Sequence, residues 1–247
     1  PCDERNLAWK AAKLFEEVTG KDLGGIEIRI TKRIPSEAGL AGGSADAAAV
    51  LRALNRHYNA PLSLPALAEL GSAVGSDVPF CICGGSAIAK GRGEIIVPLP
   101  DMPETIVVLA KLRKLDVSTA WVYKNYNPGR VVNNPSIEQI AEELSKGGKA
   151  IAPYMGNVLE TVTIPANPQI ASIKAAMLGA GAYYSMMSGS GPTVFAFAEN
   201  DSVKSINSKI IAYFEKCEKS LELRYGDCIA FITTPEVLEK PPNPAQF

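Results

Sequence analysis

Pro35-Ser36-Glu37-Ala38-Gly39-Leu40-Ala41-Gly42-Gly43-Ser44-Ala45-Asp46 lies between two legible elements. Before it, Ile26, Ile28 and Ile30 alternate with Glu27 and Arg29, the period-two pattern of a half-buried strand. After it, Ala47, Val50, Leu51 and Leu54 share one face of a helix expected from about Ser44 to His57. Gly39, Gly42 and Gly43 permit backbone angles closed to other residues and let main-chain N–H groups approach a ligand. The helix that follows offers unpaired N–H groups and a positive dipole end, which suits a phosphate. Ser44 adds a hydroxyl for a phosphate oxygen or a magnesium ion. A loop that needs glycine only to turn has the same composition, but the small side chains Ala45, Ala47, Ala48 and Ala49 allow close packing of a nucleotide. The Gly-Lys-Ser/Thr ending of a Walker A loop is absent, and the glycine spacing is not that of a dinucleotide fingerprint.

Working outward, the pattern predicts helices over Asn6 to Val18 and Pro65 to Val74, a mostly buried extended run over Val78 to Ala89, and a strand from Ile95 to Val97. In that extended run Cys81 and Cys83 are expected on one face. Pro98, Pro100 and Pro103 mark a boundary, giving an N-terminal region 1–98 and a C-terminal region 99–247. Beyond it, Thr105 to Ala110 is β-rich, and Asp116 or Ser118 is placed to cap a short helix through Lys124. A helix is expected from Ser136 to Lys146, and another capped by Asn167, begun by Pro168 and ending near Gly179. Strands over Thr193 to Ala198 and Cys228 to Thr233 flank a helix from Ser202 to Lys219. The class is α+β in two halves.

With 247 residues, 47% of them hydrophobic, the chain can bury a substantial core. A net charge of -1 supplies no basic field for nucleic acid, and no apolar run reaches the length of a membrane span. The five cysteines, Cys2, Cys81, Cys83, Cys217 and Cys228, are odd in number and sit in apolar surroundings. That favours reduced, structural thiols over disulfides or a metal site. The only histidine, His57, falls at the end of an amphipathic helix, so a Ser-His-Asp triad has no convincing base.

Two further segments carry chemistry. Gly75-Ser76-Asp77-Val78-Pro79-Phe80 sets one carboxylate in an apolar stretch. Alone, such an aspartate is read as a turn residue capping local N–H groups. Met187-Ser188-Gly189-Ser190-Gly191-Pro192-Thr193-Val194-Phe195 begins a strand with glycines, which also suits a hairpin or bulge.

Taken in order, these segments resemble the motifs of the GHMP small-molecule kinases. Pro35 to Ala49 resembles the second motif, with Ala41 where glycine is usual, a mild departure that is tolerable if its backbone angles are ordinary. Gly75 to Phe80 is similar to the segment that carries the catalytic aspartate, and Met187 to Phe195 to the third motif. The glycine pair before Ser44 resembles the members acting on 4-diphosphocytidyl-2-C-methyl-D-erythritol. Asn157-Val158-Leu159-Glu160 resembles an Asn-Asp-Leu-Glu element, and Tyr123 matches an aromatic residue that stacks on cytosine.

The resemblance implies a two-domain fold: an N-terminal half like domain 2 of ribosomal protein S5 and a ferredoxin-like C-terminal half. It implies ATP bound by Pro35, Ser36, Glu37, Ala38, Gly39, Leu40, Ala41, Gly42, Gly43, Ser44 and Ala45, with Mg²⁺ assisting through ligands not assigned. It makes Asp77 the base that deprotonates a substrate hydroxyl, and Tyr123, Gly189, Ser190 and Gly191 the substrate contacts. The implied partner is a small molecule, with neither nucleic acid nor membrane, for a monomer or homodimer in a bacterial cytoplasm or plastid stroma. A homoserine- or sugar-type kinase and a non-catalytic nucleotide-binding relative are the alternatives. The sequence opens on Pro1 rather than Met. It lacks the family's Pro-Ala-Lys-(Ile/Leu)-Asn-Leu strand and its Asp-Gly-Tyr-His segment, and reads as a chain whose beginning has been removed. The lysine of that strand is assigned to no residue here.

Overall fold

The structure, a computed structural model, describes residues 3–112, 115–132, 134–148, 150–221 and 229–233, and beyond Ala212 it describes the backbone. Cys2, Cys228 and the side chain of Cys217 lie outside this description. The chain forms two compact units. The first contains Ala41–Met102 and the residues before Glu37; the second contains Glu37–Leu40 and the chain from Pro103.

In the first unit, α1 (Leu7–Thr19) begins at Asn6, whose side chain accepts from the Ala8 N–H, and stops at Gly20 in the left-handed region. It packs with α2 (Gly42–His57) and α3 (Leu64–Val74), and both of these pack with α4 (Val78–Cys83). Phe15, Leu51, Val78 and Ile82 are wholly buried among them. Side chains of this size contribute about 1.5–3 kcal/mol each on burial. The strands β1 (Ser86–Lys90) and β2 (Ile95–Leu99) pair antiparallel, Ile88 opposite Val97.

Two expectations fail in this unit. The stretch after Asp77 is not extended: it forms α4 and then β1. Pro79 sits in the first turn of α4, where its missing N–H costs nothing. Gly84 and Gly85, both at positive φ, end the helix. Cys81 and Cys83 therefore do not share a strand face; two residues along a helix point to different sides. The second failure is the strand at Ile26–Ile30. The segment is irregular, because no described strand lies alongside to take up its backbone N–H and C=O groups. Its side chains still alternate: Ile26, Ile28 and Ile30 line an open hollow of about 410 Å³ with Trp9 and Ala12.

The second unit is built on a four-stranded antiparallel sheet in the order β4 (Tyr184–Met187), β5 (Val194–Ala198), β3 (Ile106–Lys111), β6 (Ile229–Thr233). Helices α5 (Thr119–Asn125), α6 (Ile137–Ser145), α7 (Glu160–Ala166) and α8 (Gln169–Leu178) fall between β3 and β4, and α9 (Asn200–Leu221) falls between β5 and β6. The first and third strands in chain order lie at the centre, which is the split βαβ arrangement of a ferredoxin-like fold. Val108, Val194 and Ala196 from the sheet bury against Ile170, Ile173 and Met177 of α8 and Ile206 and Ile210 of α9. Ser118 and Ser136 cap α5 and α6 through their side chains. Asn167, expected to cap α8, instead closes α7: its side-chain amide donates to the Thr163 carbonyl. The sequence pattern had not shown α7 at all, since Pro165 interrupts it.

Ala41 does not have ordinary angles. It adopts φ 49°, ψ 25°, left-handed, as the residue entering α2, a conformation costing an L-residue about 1–2 kcal/mol. Ala41→Gly should therefore raise the urea midpoint without changing the slope. The expected gain is about 0.5–1 kcal/mol once glycine's extra unfolded-state freedom is deducted.

Candidate active site

In the first unit, α2 begins without a side-chain cap. The Ala45 N–H bonds the Ala41 carbonyl, while the N–H groups of Gly42, Gly43 and Ser44 have no acceptor among the described residues. Three backbone donors thus converge at the positive end of a 16-residue helix. Ser44 is 8% exposed, and its hydroxyl forms no hydrogen bond among the described residues. The turn carrying Asp77 lies beside this helix start, since a Cβ at Gly75 would stand 3.9 Å from the Ser44 Oγ. Asp77 itself is exposed, and its carboxylate has no hydrogen-bond or ion-pair partner among the described residues. It is chemically available as a proton acceptor.

Lys32 is a feature the sequence reading missed. Its ammonium pairs with Asp46 in the first turns of α2, and a Cβ at Gly42 would come within 3.1 Å of its Nζ. A cation at a helix N-terminus is unfavourable alone; the Asp46 carboxylate compensates and fixes the end of the 26–34 segment against the helix.

The second unit holds the other glycine cluster. Ser188, Gly189, Ser190 and Gly191 follow β4, with Gly189 and Gly191 at positive φ. Gly39 packs directly on them: a Cβ there would collide with the Ser188 carbonyl oxygen, and the Ser188 hydroxyl donates to the Gly39 carbonyl at 2.7 Å. Glu37, Ala38, Gly39 and Leu40 therefore belong with the third motif, whereas Pro35, Ser36, Ala41, Gly42, Gly43, Ser44 and Ala45 belong to the first unit. The Thr119 hydroxyl meets that of Ser190 at 2.8 Å. Tyr123 lies one turn further along α5, on the same helix face as Thr119, with 63% of its surface exposed. The structure thus joins the Gly189–Gly191 loop to α5 through Thr119 and Ser190, with Tyr123 one turn further along that helix.

Residues 6–85 match the GHMP kinases N terminal domain, and residues 137–216 match the GHMP kinases C terminal model. The 4-diphosphocytidyl-2-C-methyl-D-erythritol kinase of Geobacillus kaustophilus (strain HTA426) is 50% identical over 203 residues, covering 82% of this chain and 69% of that one. The chain belongs to the GHMP kinases. A kinase of the same name from Bacillus cytotoxicus is 49% identical over the same shares of the two chains. Among solved structures, a 4-(cytidine 5'-diphospho)-2C-methyl-D-erythritol kinase superposes with a TM-score of 0.72 at 33% identity, covering 93% of this chain and 78% of the other. The homoserine kinase from Cytophaga hutchinsonii reaches 0.71 at 20% identity, covering 93% and 75%; at that identity the likeness is one of fold. This GHMP kinase has a mixed α/β architecture with small sheets.

Close to Asp77, burial pushes the Cys81 thiol up to about 11, and the Asp77 charge pushes the same way. Burial also raises Cys83, opposed by Arg52. Both are free. The thiolate is the reactive form, so at pH 8 iodoacetamide should alkylate Cys81 about 100-fold more slowly than an ordinary thiol, read by peptide mass spectrometry. Asp77→Asn removes the smaller cause and should speed that reaction. The folded protein holds the Cys81 proton to higher pH than the unfolded chain does. This contribution to stability is therefore present below about pH 9 and lost as pH rises toward 11.

Proposed function

We propose that this chain transfers the γ-phosphoryl group of ATP to the 2-hydroxyl of 4-diphosphocytidyl-2-C-methyl-D-erythritol, a step in isoprenoid precursor synthesis. One observation carries the choice of substrate: half of the residues are identical, over 203 positions, to enzymes bearing that name. The structural likeness to a homoserine kinase extends to the fold alone.

In this reading the Gly42, Gly43 and Ser44 amides hold phosphate oxygens of ATP. Asp77 accepts the proton of the 2-hydroxyl as its oxygen forms a bond to the γ-phosphorus. The bond between that phosphorus and the β,γ-bridging oxygen breaks, and ADP leaves with the electron pair. Such a transfer depends mostly on alignment and charge neutralisation, with a well-placed base adding about 10²- to 10⁴-fold. Tyr123 stacks on the cytosine ring, a contact typically worth about 1–3 kcal/mol. Gly189, Ser190 and Gly191 contact the acceptor.

The donor set suits magnesium that arrives with the nucleotide. Among the described residues no group of three or more His, Cys, Asp or Glu could hold a metal. A hard cation carried chiefly by phosphate oxygens and water asks for only one or two protein oxygens, and Ser44 Oγ and the Asp77 carboxylate lie near the start of α2, where Asp46 is already paired with Lys32. When bound, it neutralises charge on the phosphates. No helix among the described residues is long and apolar enough to cross a membrane. The named relatives are bacterial, which favours a bacterial cytoplasm over a plastid stroma.

A coupled assay for ADP should show turnover with 4-diphosphocytidyl-2-C-methyl-D-erythritol and none with homoserine or galactose. Asp77→Asn should lower kcat by about 10²- to 10⁴-fold with ATP binding by calorimetry retained. ADP release from homoserine alone would move the assignment to another member of the family. ATP binding without turnover in the unaltered protein would make it a non-catalytic relative.

A further inference from the structure

The segment that opens α7 has no part in the reaction as described, yet three of its side chains reach one loop. Asn157 Nδ2 donates to the carbonyls of both Met187 and Gly189, at 2.8 and 2.7 Å. Glu160 Oε1 accepts from the Met187 N–H at 2.8 Å, and Thr163, fully buried, donates from its hydroxyl to the Ser190 carbonyl at 3.2 Å. Asn157 precedes α7, while Glu160 and Thr163, three residues apart, are neighbours on its surface. Each of the three is itself held. Asn157 Oδ1 accepts from the Leu159 N–H at 3.0 Å, Glu160 pairs through its other oxygen with Lys174 of α8, and Thr163 is wholly buried.

The consequence follows from peptide geometry. In a trans peptide the C=O and the next N–H point in opposite directions. The Gly189 carbonyl faces Asn157, so the Ser190 N–H faces away from it. The Ser188 carbonyl accepts from the Gly191 N–H at 2.9 Å, which turns the Gly189 N–H away from that turn. Gly189 and Ser190 are left with N–H groups that have no acceptor among the described residues, and the hydroxyl of Ser190 itself meets that of Thr119. Were the carbonyls free, either peptide could flip and present an oxygen in place of a donor.

We infer that Asn157, seconded by Thr163, is a positioning residue that fixes these peptides so that the Gly189 and Ser190 N–H groups face an anionic oxygen of the acceptor substrate. This rests on the proposed reading, in which that loop contacts a substrate bearing a diphosphate.

Asn157→Asp keeps the shape and the acceptor for Leu159 but removes both donors and sets a carboxylate against two carbonyls. Steady-state kinetics with 4-diphosphocytidyl-2-C-methyl-D-erythritol should show its KM raised at least tenfold and the KM for ATP changed less than twofold. Thr163→Val, isosteric and milder, should raise the acceptor KM about three- to tenfold in the same pattern. Equal increases in both KM values, or an acceptor KM within twofold of the unaltered protein for both variants, would overturn the assignment. A second measurement needs no substrate: the Gly191 amide should exchange at least tenfold faster by NMR in Asn157→Asp. Unchanged exchange means the brace does not hold the loop. An unaltered protein that turns over no acceptor defeats the kinase reading, and the exchange rates still decide the brace.

Discussion

The close approach of Gly39 to the Ser188 carbonyl is the constraint on which the second unit's chemistry depends. A side chain at Gly39 would strike a backbone oxygen, which has no rotamer to offer in relief. Contact at this range also lets the Ser188 hydroxyl reach the Gly39 carbonyl. Two glycine-rich segments separated by about 150 residues are thereby joined through main chain. Their shapes are interdependent: a side chain added at Gly39 would have to displace the Ser188 carbonyl and would disturb the hydrogen bond between the two residues.

At the start of α2 a different solution is used. There the chain enters the helix through Ala41 in a conformation that glycine would adopt without strain, and the first-turn donors are left open. The ion pair of Lys32 with Asp46 adds a cation beside Gly42. Donors and a nearby positive charge suit phosphate oxygens; Asp77 lies exposed on the turn beside Ser44, and in the proposed reaction its carboxylate is the proton acceptor. Separation of donor and acceptor roles onto adjacent turns is what in-line transfer requires of a protein that contributes little covalent chemistry.

Much of this was legible in the residues. Periodicity located α1, α2, α3 and α9, and the β3 and β5 strands, because each buries one clear stripe or face. The glycine segments and Asp77 stood out because their residue types make little sense as core. Misreadings occurred where a tertiary partner decides the outcome. Ile26–Ile30 has strand alternation but no described neighbour to complete a ladder, and Val78–Cys83 is apolar enough for either state until Pro79 is recognised as a helix-opening residue. Ala41 looked like a harmless substitution because its dihedral angles are set by the loop around it. Lys32 and Thr163 were silent in the sequence, since nothing in a lysine or threonine reveals which carbonyl or carboxylate it will meet. Asn157 and Glu160 were marked by their resemblance to an Asn-Asp-Leu-Glu element, but the residues alone did not show which main-chain groups they would bond.

Because the side chains of Asn157, Glu160 and Thr163 bond the main chain at Met187, Gly189 and Ser190, the conformational freedom of the 188–191 segment is surrendered when the unit folds. Ordering a backbone residue costs about 1–2 kcal/mol. For four residues that expense falls on folding, and a ligand arriving later meets a surface already set. Affinity at such a surface should be governed by the enthalpy of a few well-aimed bonds and by desolvation, with little entropic penalty from the loop.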